Sequence, residues 1–153
     1  MSLRPLRFLG DPVLLETAAP VDAFDAALAT LVRDMFETMY AAPGRGLAAP
    51  QVGVSRRVFV VDTQWKEADP APMIFVNPKM IARSDETAVG TEACLSIPGR
   101  SFAVSRPIWV DMTWQDLDGV SHESRFEGIE AVCVAHEFDH LNGLLITQTG
   151  TPQ

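Results

Sequence analysis

The chain has 153 residues, 47% of them apolar and 21% charged, with a formal net charge of −8. A chain of that size is expected to form a single domain over residues 1–153 and to bury about two thirds of its unfolded surface; the acidic balance disfavours nonspecific nucleic-acid binding. Two cysteines make no disulfide framework, and the sequence shows no signal peptide, membrane span or internal repeat, so a soluble protein of the cytoplasm is expected.

Gly10-Asp11-Pro12-Val13-Leu14 reads as a turn entering a short helix. Phe24, Leu28, Leu31, Val32, Met35, Phe36 and Met39 then follow helical spacing, with Asp22 as the expected N-cap of a long scaffold helix. Pro43 to Gln51 ends that helix, and its glycines and small residues mark backbone that another group approaches closely. Arg57 to Val61 predicts a strand buried on both faces, and Gln64 to Pro72 a polar loop. Met73 to Ala82 predicts a second strand, in which Pro78 requires an edge position or a bulge. Thr91 to Arg100, around Cys94-Leu95-Ser96-Ile97-Pro98-Gly99, is expected to form an irregular, tightly held loop. Alternation from Ile108 to Gln115, the turn Asp116-Leu117-Asp118-Gly119 and the run Val120 to Glu127 predict an antiparallel hairpin, with His122 at its surface.

The last periodic stretch, Gly128 to Asn142, carries His136-Glu137-Phe138-Asp139-His140, a complete H-E-x-x-H. On a helix, residues four apart share a face about 6 Å apart, so two imidazoles can grip one metal ion with the glutamate beside its water. Ile129, Val132, Cys133, His136 and His140 recur at helical spacing, which places both histidines on the inward face, and Gly143 supplies a stop. The competing reading is a pair of hydrogen-bonded core histidines.

A catalytic metal of this kind needs a third protein ligand. None of the thirteen residues after His140 is His, Cys, Asp or Glu, so the ligand must come from upstream. Cys133 is seven residues from His140, about 10 Å of helical rise, too far for bonds of about 2.0–2.3 Å. Cys133 therefore reads as a small buried hydrophobe, and Cys94 becomes the leading ligand. A nucleophilic Cys94 is the alternative, but it leaves the second histidine and Glu137 without a role.

Gly44-x-Gly46-Leu47-Ala48-Ala49-x-Gln51, Glu92-x-Cys94-Leu95-Ser96 and His136-Glu137-x-x-His140 together resemble the three signature motifs of peptide deformylases, in that family's order. The likeness extends to Gly10-Asp11-Pro12-Val13-Leu14, Asn77-Pro78 and Arg106-Pro107, and so to nearly the whole chain. It implies an α+β fold, with small antiparallel sheets packed around a central C-terminal helix carrying H-E-x-x-H and one further long helix near the N-terminus. It implies a hydrolase that removes the N-formyl group from the N-terminal methionine of newly made polypeptides. One divalent transition metal, Fe2+ with Zn2+, Ni2+ or Co2+ as substitutes, would be held by Cys94, His136 and His140. Glu137 would act as general acid and base, with Gln51 and the backbone N–H of Leu95 stabilising the oxyanion.

By the same resemblance Gly44, Arg45, Gly46, Ala93, Ile129, Val132 and Cys133 line the substrate groove, while Glu92, Arg106 and Asp139 orient the ligands. The chain departs from the family pattern at Arg45, where an apolar residue is common, at Ala93 in place of glycine, and at Ala135 in place of glutamine. Arg45 is expected to put a cation beside the peptide and favour acidic residues after methionine. After Ile146 the sequence is also expected to lack the C-terminal helix or strand of well-known family members, which weakens the expected docking on the ribosome. A related hydrolase of another N-acyl or formyl-amide substrate, and a non-catalytic metal-binding protein, are the alternatives.

Overall fold

The computed structural model describes residues 2–153. Pro12–Leu15 form a 3-10 turn capped by Asp11. Helix α1 follows at Ala26–Ala41. Its N-cap is Asp25, whose carboxylate accepts from the Leu28 N–H at 3.0 Å; the expected cap, Asp22, lies three residues too early. The spacing signal was sound for the helix body, since Leu28, Leu31, Val32, Met35 and Met39 are all buried.

The remaining elements are β1 (Gly46–Ala48), β2 (Val58–Val61), β3 (Met73–Arg83), β4 (Thr87–Cys94), β5 (Ile97–Pro107), β6 (Trp109–Gln115), β7 (Ser121–Glu127), α2 (Gly128–Leu141), α3 (Ile146–Thr149) and β8 (Gly150–Pro152). They form two antiparallel sheets, one ordered β1-β2-β3-β6-β7 and the other β4-β5-β8. The expected α+β arrangement is present.

Strand β2 shows why its sequence is an unbroken apolar run. Val58 and Val60 pack with α1 residues in one core cluster, while Phe59 and Val61 pack with Phe75, Val110 and Val134 in a second. The larger sheet is thus covered on one face by α1 and on the other by α2, and a strand buried on both faces has no use for alternation. Each such fully buried side chain contributes about 1.5–3 kcal/mol from burial alone. The choice left open at Pro78 resolves to a bulge: β3 lies between β2 and β6, and its register slips between Val76 and Lys79. Asn77 turns through the left-handed region there (φ 49°), its amide bonded to Val21 and Gln115.

Two expectations need correction. Thr91 to Arg100 is no irregular loop; it is the closed end of a long hairpin in which β4 pairs with β5 from Thr87↔Pro107 to Cys94↔Ile97, with a register slip at Ala93/Cys94. Residues Ile146–Pro152, to which the sequence assigned no element, also form a short helix and strand. α3 leads into β8, which pairs with β5 through Phe102↔Pro152 and Val104↔Gly150, and Ile146 closes a small core with Ile97, Phe102 and Val104. Gly143 stops α2 as expected: its φ is +73°, and a Cβ there would meet the Leu15 carbonyl oxygen at 2.5 Å.

Candidate active site

α2 delivers His136, Glu137 and His140 to the seam between the two sheets, and the β4–β5 turn delivers Cys94. Cys94 Sγ and the nearer ring nitrogens of His136 and His140 lie within 4.8 Å of one another, all three side chains buried. Cys94 Sγ is 3.5 Å from His140 Nε2. Cys133, one helical turn back, is outside this group, half-buried on the groove wall. Burial and the carboxylates of Glu137 and Glu92 push its thiol up to about 12, so it stays neutral and behaves as an apolar side chain.

Behind the triad sits a buried ionic relay. Glu92 Oε1 accepts from His136 Nδ1 at 2.9 Å and from Arg106 at 2.9 Å, while Glu92 Oε2 accepts a second Arg106 nitrogen at 2.9 Å. Arg106 also donates to Asp139 at 2.6 Å. Burial alone would raise the Glu92 carboxyl; the bonds from His136 and Arg106 outweigh it and hold Glu92 down at about 2, permanently ionised. By fixing a proton on His136 Nδ1, that carboxylate leaves the other ring nitrogen as a lone-pair donor facing Cys94. Burial pushes the His140 imidazole toward its neutral form, the form that ligates.

Glu137 lies beside the triad, buried, with Oε1 free of any partner among the described residues. Burial lifts its carboxyl to about 7. Gly46 lies so close that a Cβ there would meet Glu137 Oε2 at 2.5 Å, and a Cβ at Gly44 would meet Leu95 Cδ1 at 2.8 Å. This is the close backbone approach that the glycines implied. Gln51 is buried with its amide orientation fixed: Oε1 accepts from the Ala48 N–H at 3.0 Å, and Nε2 donates to Ser96 Oγ at 3.1 Å and points at Cys94 Sγ, 3.5 Å away.

A cleft of about 680 Å³ opens onto these groups. All seven expected groove residues, Gly44, Arg45, Gly46, Ala93, Ile129, Val132 and Cys133, line it, together with Gln51, Leu95, His136 and Glu137. Ile129 is 55% exposed, at the mouth of the cleft and not in the core. Phe8, Lys66 and Arg100 also line it; Phe8 and Lys66 lie on the N-terminal segment and the β2–β3 loop, which carry no periodicity, and Arg100 lies on the exposed start of β5. Ser96, wholly buried and holding the Gln51 amide, was overlooked inside its own motif. A slightly larger depression of about 790 Å³, between Arg57, Lys79, Trp114 and Phe138, contains none of these chemical groups. His122 is exposed, 2.8 Å from Asp116, and takes no part.

The donor set fits a resident metal. One sulfur and two imidazole nitrogens converge in a buried pocket, the second nitrogen of His136 is tied to a carboxylate, and an unpartnered carboxylate oxygen of Glu137 lies alongside. Such a mixed S, N, N set suits iron, zinc, nickel or cobalt and not calcium or magnesium.

The polypeptide deformylase family model matches residues 3–153. The chain belongs to the polypeptide deformylase family. It is 46% identical over 149 residues to the peptide deformylase of Zymomonas mobilis, covering 95% of this chain and 84% of that one. The crystal structure of the Thermotoga maritima peptide deformylase superposes with a TM-score of 0.93 at 40% identity, covering 98% and 99% of the two chains. A Met-Ala-Ser-bound peptide deformylase from Acinetobacter baumannii superposes at 0.89 with 35% identity, covering 96% and 98%. The chain is accordingly a deformylase, a hydrolase of protein biosynthesis that acts on formylated new polypeptides.

Proposed function

We propose that Glu137, Gln51 and Leu95 carry out the deformylation of formyl-methionyl peptides at a site where Cys94, His136 and His140 hold one divalent transition metal, Fe2+ in the cell. The observation that carries this reading is the unpartnered Glu137 carboxylate beside the Cys94–His136–His140 triad, in the lining of a cleft of about 680 Å³. A metal bound there supplies Lewis acidity, which lowers the pKa of a water toward about 7 and polarises a formyl oxygen.

The protein's own groups supply the rest. Glu137 Oε1 takes the proton of the attacking water as its oxygen bonds to the formyl carbon. The same carboxyl then delivers that proton to the amide nitrogen as the C–N bond breaks, releasing formate and a free amine. Gln51 Nε2, fixed by Ser96 and Ala48, and the backbone N–H of Leu95 donate to the oxyanion that develops on the formyl oxygen. Glu92 holds His136 in the ligating tautomer, and Arg106, itself anchored by Asp139, holds Glu92. The methionine side chain lies against Ile129, Val132 and Cys133, and the peptide backbone extends between Gly44–Gly46 and Ala93 as an added strand.

Among the described residues no helix is long and apolar enough to cross a membrane. The cytoplasm, where formylated chains emerge, is the compartment that matches the substrate. The test is turnover of formyl-Met-Ala-Ser, beside its acetyl counterpart, by protein loaded anaerobically with iron. Formyl cleavage alone supports the reading. Equal cleavage of both reassigns the enzyme to a broader N-acyl hydrolase, and no cleavage of either refutes it.

A further inference from the structure

Arg45 lines the cleft between Gly44 and Gly46, and a cation there was expected to favour acidic residues after methionine. In the structure that cation is paired. Both terminal nitrogens of Arg45 are engaged by Glu67, at 3.0 Å and 2.5 Å, and one also donates to the Thr63 carbonyl. Glu67 sits on the loop between β2 and β3, outside every motif, where sequence alone gives no sign of a partner for Arg45.

That loop is built to hold its position. Asp62, wholly buried, accepts from the Tyr40 hydroxyl at 2.6 Å and from the N–H groups of Gln64, Trp65 and Ala71 at 3.3, 3.2 and 3.1 Å. Trp65 Nε1 donates to the Gly44 carbonyl at 2.9 Å, and Lys66 Nζ reaches the Pro43 carbonyl at 3.3 Å. The loop thus clasps the very segment that forms one wall of the cleft, and Glu67 meets Arg45 at its outer rim. Arg45 and Cys133 line the same cleft, so the guanidinium stands on the wall that a bound peptide meets.

We propose that Glu67 is a specificity-determining residue: by holding the Arg45 guanidinium against the β2–β3 loop, it keeps that charge away from the peptide and lets the cleft accept neutral and acidic peptides alike. The inference deepens the deformylase reading and rests on it for the ligand, a methionyl peptide. It explains how an arginine can stand where the family commonly has an apolar residue without imposing a charge preference.

The experiment measures affinities of metal-loaded protein for the deformylated peptides Met-Ala-Ser and Met-Asp-Ser by calorimetry, with KM and kcat for their formylated forms. Glu67→Ala should raise the preference for Met-Asp-Ser over Met-Ala-Ser by about fivefold, the order that an exposed charge interaction carries. The change should appear in Kd and KM, with kcat within about twofold of the unsubstituted enzyme. In an Arg45→Leu background, Glu67→Ala should shift the preference by less than about 1.5-fold, because no cation is left to release. An unchanged preference in Glu67→Ala overturns the proposal. A shift that persists in the Arg45→Leu background overturns it too, since Glu67 would then act through its own charge or through the loop. Product-peptide affinities read this inference even if no formyl peptide is turned over, whereas turnover by the unsubstituted enzyme reads the deformylase assignment alone.

Discussion

Gly46→Ala isolates the position of the base from every other feature of the site. The backbone at Gly46 is not left-handed, so alanine adds no strain of its own, but its Cβ would stand 2.5 Å from Glu137 Oε2 and 3.0 Å from Cγ and Cδ. To regain the 3.4 Å of ordinary contact the carboxylate must retreat by roughly 0.9 Å. Glu137 is buried on a helix packed against β1, so the retreat goes into a rotamer change that costs about 0.5–1.5 kcal/mol and turns the oxygen away from the reacting water. A misplacement of about 1 Å at a reacting group costs on the order of 100-fold in rate. Gly46→Ala should therefore lose about 100-fold in kcat, with KM within about threefold, one metal per chain and a small fall in Tm. Gly44→Ala is the internal control. Its Cβ meets only the flexible end of Leu95, at 2.8 Å, so kcat should fall by less than about fivefold. Steady-state kinetics on formyl-Met-Ala-Ser, with metal content by mass spectrometry, reads both. A Gly46→Ala enzyme with full metal and kcat within about threefold of the parent would refute the reasoning, because the carboxylate would then have room that the structure does not show.

Cys94→Ala should lose the metal during dialysis, whereas Cys133→Ser should keep one metal per chain, because only Cys94 Sγ lies within 4.8 Å of the His136 and His140 nitrogens; equal loss from both would remove the ligand assignment. Arg106→Leu strips the buried Glu92 of its guanidinium partner, leaving an unpaired charge, and should lower stability by about 3–5 kcal/mol in denaturant titration. Arg106→Leu with Glu92→Gln together should recover part of that loss, and a double variant no more stable than the single one would argue against a coupled pair. Gln51→Ala should keep the metal and lower kcat on the order of 100-fold with little change in product-peptide affinity; a loss confined to affinity would place Gln51 in binding and not in oxyanion stabilisation.

What was legible in the sequence followed from period and economy. The i, i+4 histidines of α2 and the lack of a later ligand were enough to point to Cys94, and the glycines at 44 and 46 announced a close approach without naming Glu137 as the neighbour. The unbroken run Val58–Val61 reported burial on two faces, which the two core clusters on either side of β2 explain. The β4–β5 hairpin was missed because β4 is exposed through Thr87–Thr91 and so shows no alternation, while Pro98 and Gly99 imitate a loop. The α3–β8 terminus was missed because three residues pairing with β5 carry too little apolar signal. The partner of Arg45 was not legible, because Glu67 lies 22 residues away on a polar loop, a distance that no helical or strand period spans.

The central claim, that Glu137 moves the proton while Cys94, His136 and His140 hold the metal, is tested most directly by Glu137→Gln. The amide keeps the shape of the side chain and cannot accept the water's proton. The variant should retain one metal per chain and a parental Tm, bind Met-Ala-Ser with unchanged affinity, and lose on the order of 1,000-fold or more in kcat on formyl-Met-Ala-Ser. Activity within about tenfold of the parent, with the metal still bound, would contradict the account.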